Sequence, residues 1–136
     1  MGILIDTGVF IQWERDAERI DLVRLAVHGE PAISVITQSE LMVGVHRANT
    51  PDRREKRFRF VQSIVSNVAV IPIDSRVAEE HARLVTALSQ SGTTIGPHDN
   101  WIAATALAHN YTLLTTNTNE FRRVTGLRVI DYLSTG

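Results

Sequence analysis

The chain has no cysteine, which excludes a disulfide framework, a thiolate nucleophile and thiolate zinc sites. It has no apolar run approaching the ~18 residues of a membrane span. Its first residues lack a basic stretch followed by a long apolar one, so neither secretion nor spanning is expected and the cytoplasm is the default location. An excess of either charge is missing too. Against 15 acidic residues stand 14 Lys and Arg, for a formal charge of −1 and a pI of about 6.5. Nothing global therefore points to nucleic acid or a membrane, and any basic surface must be local. Linkers and low-complexity tracts are absent as well. The 136 residues, 43% hydrophobic and 21% charged, suit one domain over residues 1–136, a length that sustains a core without disulfides or a structural metal.

What is present is organised around residues 2–11. Ile3, Leu4 and Ile5 form an unbroken apolar run, the pattern of a strand covered on both faces. It stops at Asp6-Thr7-Gly8, and Val9, Phe10 and Ile11 resume with helical spacing over about 9–13. A second helix is expected over 17–27, from Ile20, Val23, Leu25 and Val27, with His28-Gly29-Glu30-Pro31 as stop and turn. Residues 32–35 read as the next strand. A helix opened by Thr37 should run to about Arg47, and an amphipathic one from Arg53 to about Val65. Residues 68–73 read as a third strand, at an edge because of Pro72. Asp74 or Ser75 should cap a helix to about Gln90, and a loop over 91–97 precedes a helix from Asp99 to Ala108 that is apolar nearly all round and hence buried. A strand at 112–116, a short helix near 120–124 and a strand at 127–130 complete the pattern. Strands alternating with helices imply a three-layer α/β/α fold with a mostly parallel sheet of four to five strands.

Acidic residues fall where strands give way to helices. Asp6 follows the first strand, Glu40 lies in the first turn of the helix after the second, Asp99 opens the buried helix, and Asn117 stands at the exit of the fourth strand. In a parallel sheet, that carboxyl edge forms the ligand-binding crevice. Mg²⁺ takes oxygen ligands, usually one or two carboxylates completed by water and phosphate, and three carboxylates with an amide oxygen would supply them. Carboxylates so close repel by roughly 4 kcal/mol per pair at 4 Å and an effective dielectric of ~20. A cation offsets that repulsion; without one, a shared proton or splayed side chains are required. Each residue also has a local reading. Asp6 and Asp99 can cap helices, Glu40 completes the capping box Thr37-Gln38-Ser39-Glu40, and Asn117 suits a turn. Their common position relative to the strands favours the joint reading.

Four motifs also resemble a known family: Leu-Ile-Asp-Thr at 4–7, Thr-Gln-Ser-Glu-Leu at 37–41, Gly-Pro-His-Asp-Asn-Trp-Ile-Ala-Ala-Thr-Ala-Leu at 96–107 and Leu-Leu-Thr-Thr-Asn-Thr-Asn-Glu-Phe at 113–121. In this order and over nearly the whole chain, they resemble the PIN domain, and within it the VapC-type toxins of bacterial toxin–antitoxin pairs. The resemblance implies a Mg²⁺- or Mn²⁺-dependent endoribonuclease, usually a homodimer, silenced by a small VapB-type antitoxin that blocks the acidic pocket. It puts Asp6, Glu40 and Asp99 in the places of the three acidic metal ligands. Many members carry Asp where this chain has Asn117, and others have Asn with an acid a few residues on, as Glu120 would be here; Asn117 keeps an oxygen but loses a charge. Either Glu120 contributes through water, or a single metal works with substrate phosphate completing its shell.

The reaction so implied is hydrolysis of an RNA phosphodiester by a metal-activated water, with no covalent nucleophile. Thr7 and Thr116 are secondary candidates for orienting ligands or binding phosphate. Arg122 and Arg123, just past the pocket, are the better candidates for substrate contact. Arg53 and Arg57, in the one concentrated basic run at 53–59, either contact phosphate, dock an acidic partner or simply form a solvated helix face. The hairpin at about 37–65 is a candidate groove for an antitoxin helix. Other classes fit worse. A haloacid-dehalogenase-type phosphatase wants a second Asp where Gly8 stands, and a phosphoacceptor receiver wants a lysine at a late strand end, whereas the only lysine is Lys56 in the charged helix. The remaining alternative is a PIN-like RNA- or protein-binding module with a weakened site.

Overall fold

The computed structural model describes residues 2–16 and 26–134. Five strands form one sheet in the order β3-β2-β1-β4-β5, and every pairing is parallel. The strands are β1 (Gly2–Ile5), β2 (Glu30–Ser34), β3 (Ala69–Ile71), β4 (Thr112–Thr115) and β5 (Val129–Asp131). The helices are α1 (Thr7–Asp16), α2 (Val35–His46), α3 (Pro51–Val65), α4 (Ser75–Gln90), α5 (Pro97–His109) and the single turn α6 (Thr118–Phe121).

Alternation within the central strands builds the three layers. Successive side chains of a strand point to opposite faces, so Ile3 and Ile5 pack with Val9, Phe10, Leu41, Val61 and Ile64 of α1, α2 and α3. Leu4, between them, packs instead with Val77, Leu84, Ile102 and Ala103 of α4 and α5. All three β1 residues are fully buried, as their unbroken apolar run requires. The α5 run Ile102-Ala103-Ala104-Thr105-Ala106 is likewise fully buried, as its all-round apolarity predicts. Its alanines let the helix lie close against both the sheet and α4.

Several boundaries differ from expectation. The turn expected at 28–31 is shorter, because Glu30 and Pro31 already belong to β2, with Pro31 in register with Ile3. A proline is tolerated near the start of a strand, where a missing N–H costs little. The α2 helix begins at Val35, before Thr37: Ser34 is its cap, and its Oγ accepts from the Ile36 amide at 3.0 Å. The α5 helix starts at Pro97 behind Gly96 with no side-chain cap, so Asp99 sits inside the first turn and does not cap it. The β3 strand lies at an edge, as Pro72 suggested, and Asp74 caps α4 by accepting from the Val77 amide at 3.0 Å. The last strand is shifted to 129–131. Most of the helix expected at 17–27 lies outside the described residues, and 26–28 form one 3₁₀ turn. Among the described residues no helix is long and apolar enough to cross a membrane.

Candidate active site

The crossovers bring the carboxyl ends of β1 and β4 side by side, since the two strands pair in register from Ile3 with Thr112 to Ile5 with Leu114. Asp6 comes directly after β1, and its amide donates to the Leu114 carbonyl at 2.9 Å. That bond pins Asp6 against β4 and leaves its side chain only 6% exposed. The buried carboxylate is satisfied on both oxygens: Oδ1 accepts from the Thr7 amide at 2.9 Å and Oδ2 from the Thr115 hydroxyl at 2.7 Å. Thr115 Oγ1 in turn accepts from the Asn117 amide at 2.9 Å.

Thr7 ties the next acid in. Its hydroxyl donates to Glu40 Oε1 at 2.7 Å and stands 3.0 Å from the Thr37 hydroxyl. With Ser34 as the cap of α2, Glu40 lies in the second turn of that helix and is free of a capping role. On its other side, His98 Nδ1 is 3.4 Å from Glu40 Oε2. Asp99, one residue on, hydrogen-bonds Glu120. Glu120 is held by the Gly96 amide at 2.7 Å and by the Asn117 side-chain amide. Gly96 lies in contact with both acids, since a Cβ on it would stand at ordinary contact distance, 3.6 Å from Asp99 Oδ2 and 3.8 Å from Glu120 Oε1. A cavity of about 360 Å³ lined by Glu40, Gly96, Pro97, His98 and Asp99 opens at this edge.

The electrostatics show four carboxylates acting on one another. Asp99 is pushed up to about 7 by burial, by its hydrogen bond to Glu120, and by the charges of Asp6, Glu120 and Glu40. Asp6 is also raised: burial outweighs the Thr115 and Thr7 hydrogen bonds, and Glu40 and Glu120 add repulsion. For Glu120, burial alone would raise the carboxyl, but the Gly96 amide, Asp99, Asn117 and the Arg123 charge together hold it below the usual range. With Asp99 raised and Glu120 lowered, the pair favours a proton on Asp99 and a charge on Glu120, one way in which such a cluster relieves its repulsion.

The donor set is all oxygen, which suits a hard divalent cation, and such a cation would replace that proton. Among the described residues no three acidic or histidine side chains are already gathered around one ion position. Their oxygens are engaged instead with hydroxyls, amides and the proton. Binding an ion therefore calls for side-chain rotation of Glu40, Asp99 and Glu120, while Asp6 is fixed in place.

The other candidates are placed more loosely. Thr116 stands against Gly8, where a Cβ would come within 2.6 Å of its Oγ1. Arg123 donates to the Thr94 carbonyl at 2.9 Å and its charge reaches Glu120; Arg122 is exposed beside it. Arg57 is engaged in packing, bonded to Glu14 at 3.2 Å and to the Gly44 carbonyl at 3.1 Å. Arg53 reaches Asn49 Oδ1 at 3.0 Å. Three residues missed from sequence also belong to the site: Thr115 and Thr37, both fully buried, and Gly96. A hydroxyl inside a buried strand or helix is the sequence signal for the first two.

Residues 3–127 match the family model of the PIN domain. Ribonuclease VapC1 of Rickettsia felis is 36% identical over 130 residues, covering 96% of this chain and 96% of that protein. The tRNA(fMet)-specific endonuclease VapC of Shigella flexneri is 32% identical over 104 residues, 76% of each. Among solved structures, VapBC2 from Rickettsia felis bound to a DNA fragment from their promoter aligns with a TM-score of 0.86 at 27% identity, covering 96% of this chain and 98% of that one.

Proposed function

The chain belongs to the PIN domain family, and from that premise we propose that it is an endoribonuclease that hydrolyses RNA phosphodiesters with Mg²⁺ or Mn²⁺, the toxin of a toxin–antitoxin pair held in check by a VapB-type antitoxin. The observation that carries this reading is the convergence of Asp6, Glu40, Asp99 and Glu120 at the carboxyl edge of β1 and β4, where their charges act on one another. The VapC ribonucleases and the VapBC complex it resembles supply the substrate class and the partner. Assembly as a homodimer and action in the cytoplasm, beside RNA and the antitoxin, belong to the same proposal.

Asp6, Glu40 and Asp99 would hold the ion, which would supply a lowered pKa to a bound water and offset charge gathering on the phosphate. Thr115 and the Thr7 amide keep Asp6 oriented and favour its ionised form against the burial that raises it. The Thr7 hydroxyl aims Glu40 across the crevice, and Asn117 and Gly96 aim Glu120 toward Asp99. Glu120 carries a fourth negative charge beside the uncharged Asn117. The burial of Asp6 would strengthen its attraction for a cation, and the cation in turn would offset the repulsion between the acids and the phosphate. His98 and Arg122 stand at the rim, available to the RNA.

The test is direct. Purified protein freed of antitoxin should cleave a tRNA with Mg²⁺, stop on chelation and resume with Mn²⁺, while Asp6→Asn should be inert. Cleavage that persists in Asp6→Asn would overturn the site. Failure to cut across varied RNAs, with RNA still bound, would favour a binding module.

A further inference from the structure

A second concavity lies apart from the acidic crevice. It is a groove of about 590 Å³ between the carboxyl-terminal half of α4 and residues 123–126, running over the end of α5. Leu84, Leu88, Leu107 and Val124 line it, and an arginine stands on each side, Arg83 from α4 and Arg123 from the segment after α6. Arg123 belongs to both places. It lines the groove, its guanidinium donates to Thr94 at 2.9 Å in the α4–α5 turn, and its charge acts on Glu120 in the acidic cluster. The groove therefore begins where the crevice ends.

We propose that this groove is a nucleotide subsite: it takes an unpaired base of the RNA flanking the cleaved bond against its apolar floor, with Arg123 and Arg83 on the neighbouring phosphates. This rests on the ribonuclease reading above. Charge complementarity selects RNA as occupant. Against the two arginines the wall carries one acid, Glu80, which is paired with Arg83, so the lining has a net charge of +1 and the exposed Arg83 keeps further guanidinium donors for a phosphate. Its rim hydroxyls, on Ser91 and Thr125, add hydrogen bonds that suit base edges or ribose. Proteins hold single-stranded nucleic acid in positively charged grooves with aromatic faces for the bases; here the aliphatic Leu84, Leu88, Leu107 and Val124 take that place and meet the base face by dispersion contact. A strand whose scissile phosphate lies at Asp6 and Asp99 has to pass Arg123 to leave on this side. The subsite would thus explain how a net-neutral chain grips RNA: the cationic surface it needs is local and adjoins the acids.

Two substitutions test this without touching the acidic cluster. Ala87 is exposed and lines the groove, so Ala87→Leu fills the groove from the solvent side without entering the core and without offering a base an aromatic face. Arg83→Ala removes one cation. Binding is measured by fluorescence anisotropy of a labelled single-stranded oligoribonucleotide on the Asp6→Asn background, so that neither cleavage nor its absence enters the result. Ala87→Leu should weaken binding about tenfold, the equivalent of one lost base contact. Arg83→Ala should lower the salt slope by about one. In the cleaving protein both should raise KM and leave kcat within about twofold, because the interaction is made with bound substrate and transition state alike. Unchanged binding in both variants would overturn the subsite while leaving the nuclease reading intact. A change in molar mass by light scattering with Ala87→Leu, and none in RNA affinity, would overturn it in favour of contact between copies of the chain. Loss of cleavage in the parent protein with subsite binding retained would instead remove the nuclease reading.

Discussion

Replacing Thr115 by valine removes one hydroxyl and keeps the shape, so it isolates what that hydroxyl does for Asp6. The bond from Thr115 to Asp6 Oδ2 is 2.7 Å long, between a fully buried donor and an acceptor 6% exposed. Hydrogen bonds to charged groups contribute about 1.5–3 kcal/mol, and a buried acceptor left unpaired costs a similar amount. The loss falls on the ionised form of Asp6, so its carboxyl, already raised by burial, rises further. Protonation then limits the cost: at neutral pH the metal-free protein should lose about 1–2 kcal/mol, less than the full value of the bond. The Asn117 amide loses its acceptor as well, which loosens the strap that points Asn117 at Glu120. Groups that orient metal ligands typically change metal affinity 10–100-fold when removed. Mn²⁺ binding by calorimetry should therefore weaken by about that factor in Thr115→Val, recover in Thr115→Ser, and fall off more steeply below neutral pH. Cleavage at saturating Mn²⁺ should return most of the way. Wild-type Mn²⁺ affinity and unfolding free energy in Thr115→Val would refute the assignment of Asp6 as the fixed anchor of the site.

The pH dependence of the metal-free protein follows from Asp99, whose carboxyl sits at about 7 against an ordinary 3.8. A raised native value means the folded state holds the extra proton, so stability is full below about 4 and declines as pH rises through 7. Fully dry, such a shift would be worth about 4 kcal/mol, reduced to roughly 1–2 by solvent screening at this half-buried position. Tm should drop between pH 5 and 8 and be restored by Mg²⁺ chiefly at pH 8; a Tm that rises over that range would contradict the shared proton. Gly8→Ala puts a Cβ 2.6 Å from Thr116 Oγ1; it should cut kcat/KM about tenfold with under ~1 kcal/mol of stability lost, and Thr116→Ala in the same chain should restore much of the activity. Additive losses in that double variant would show that the two residues do not collide. Ile102→Ala, deep in the α4–α5 core, should cost about 2–5 kcal/mol in urea unfolding with Mn²⁺ affinity unchanged at low temperature; parallel loss of both would mean that the site has no rigidity of its own.

The parts legible in the sequence were those set by short-range pattern. Ile3-Leu4-Ile5 announces a doubly covered strand, because both of its faces need apolar side chains whatever covers them. Local pattern likewise gives the buried α5 helix, the edge position of β3 and a cap at Asp74 or Ser75, of which the fold uses Asp74. Placement of the acids at strand exits also follows, since connections between parallel strands are forced to that edge. What escaped was fixed by partners distant in the chain. Local composition opens α2 at Thr37, and no neighbour in the chain marks Ser34 as its cap. Ser34 wins because β2 continues to it, in register with Ile71. Thr115 shows a hydroxyl in a buried strand but not what it bonds, because its acceptor lies 109 residues away. The groove beside α4 is invisible for the same reason, being made of side chains from three separate elements.

Asn117 shows how a local departure can be absorbed by the surrounding geometry. Read alone, it subtracts a negative charge from the metal site. In the fold its side-chain amide is turned toward Glu120 as a donor, a role no aspartate could fill while ionised. Glu120 is thereby brought to Asp99, and the Gly96 amide and Arg123 keep it ionised. The fourth charge has moved three residues along the chain and across the crevice, and the site retains four carboxylates. That arrangement also explains why Asp99, and not Glu120, carries the shared proton: Glu120 is surrounded by donors and a cation, whereas Asp99 faces burial and three other acids. An incoming divalent ion would therefore compete with a proton at Asp99 alone, while Asp6, held by Thr115, meets it already in position.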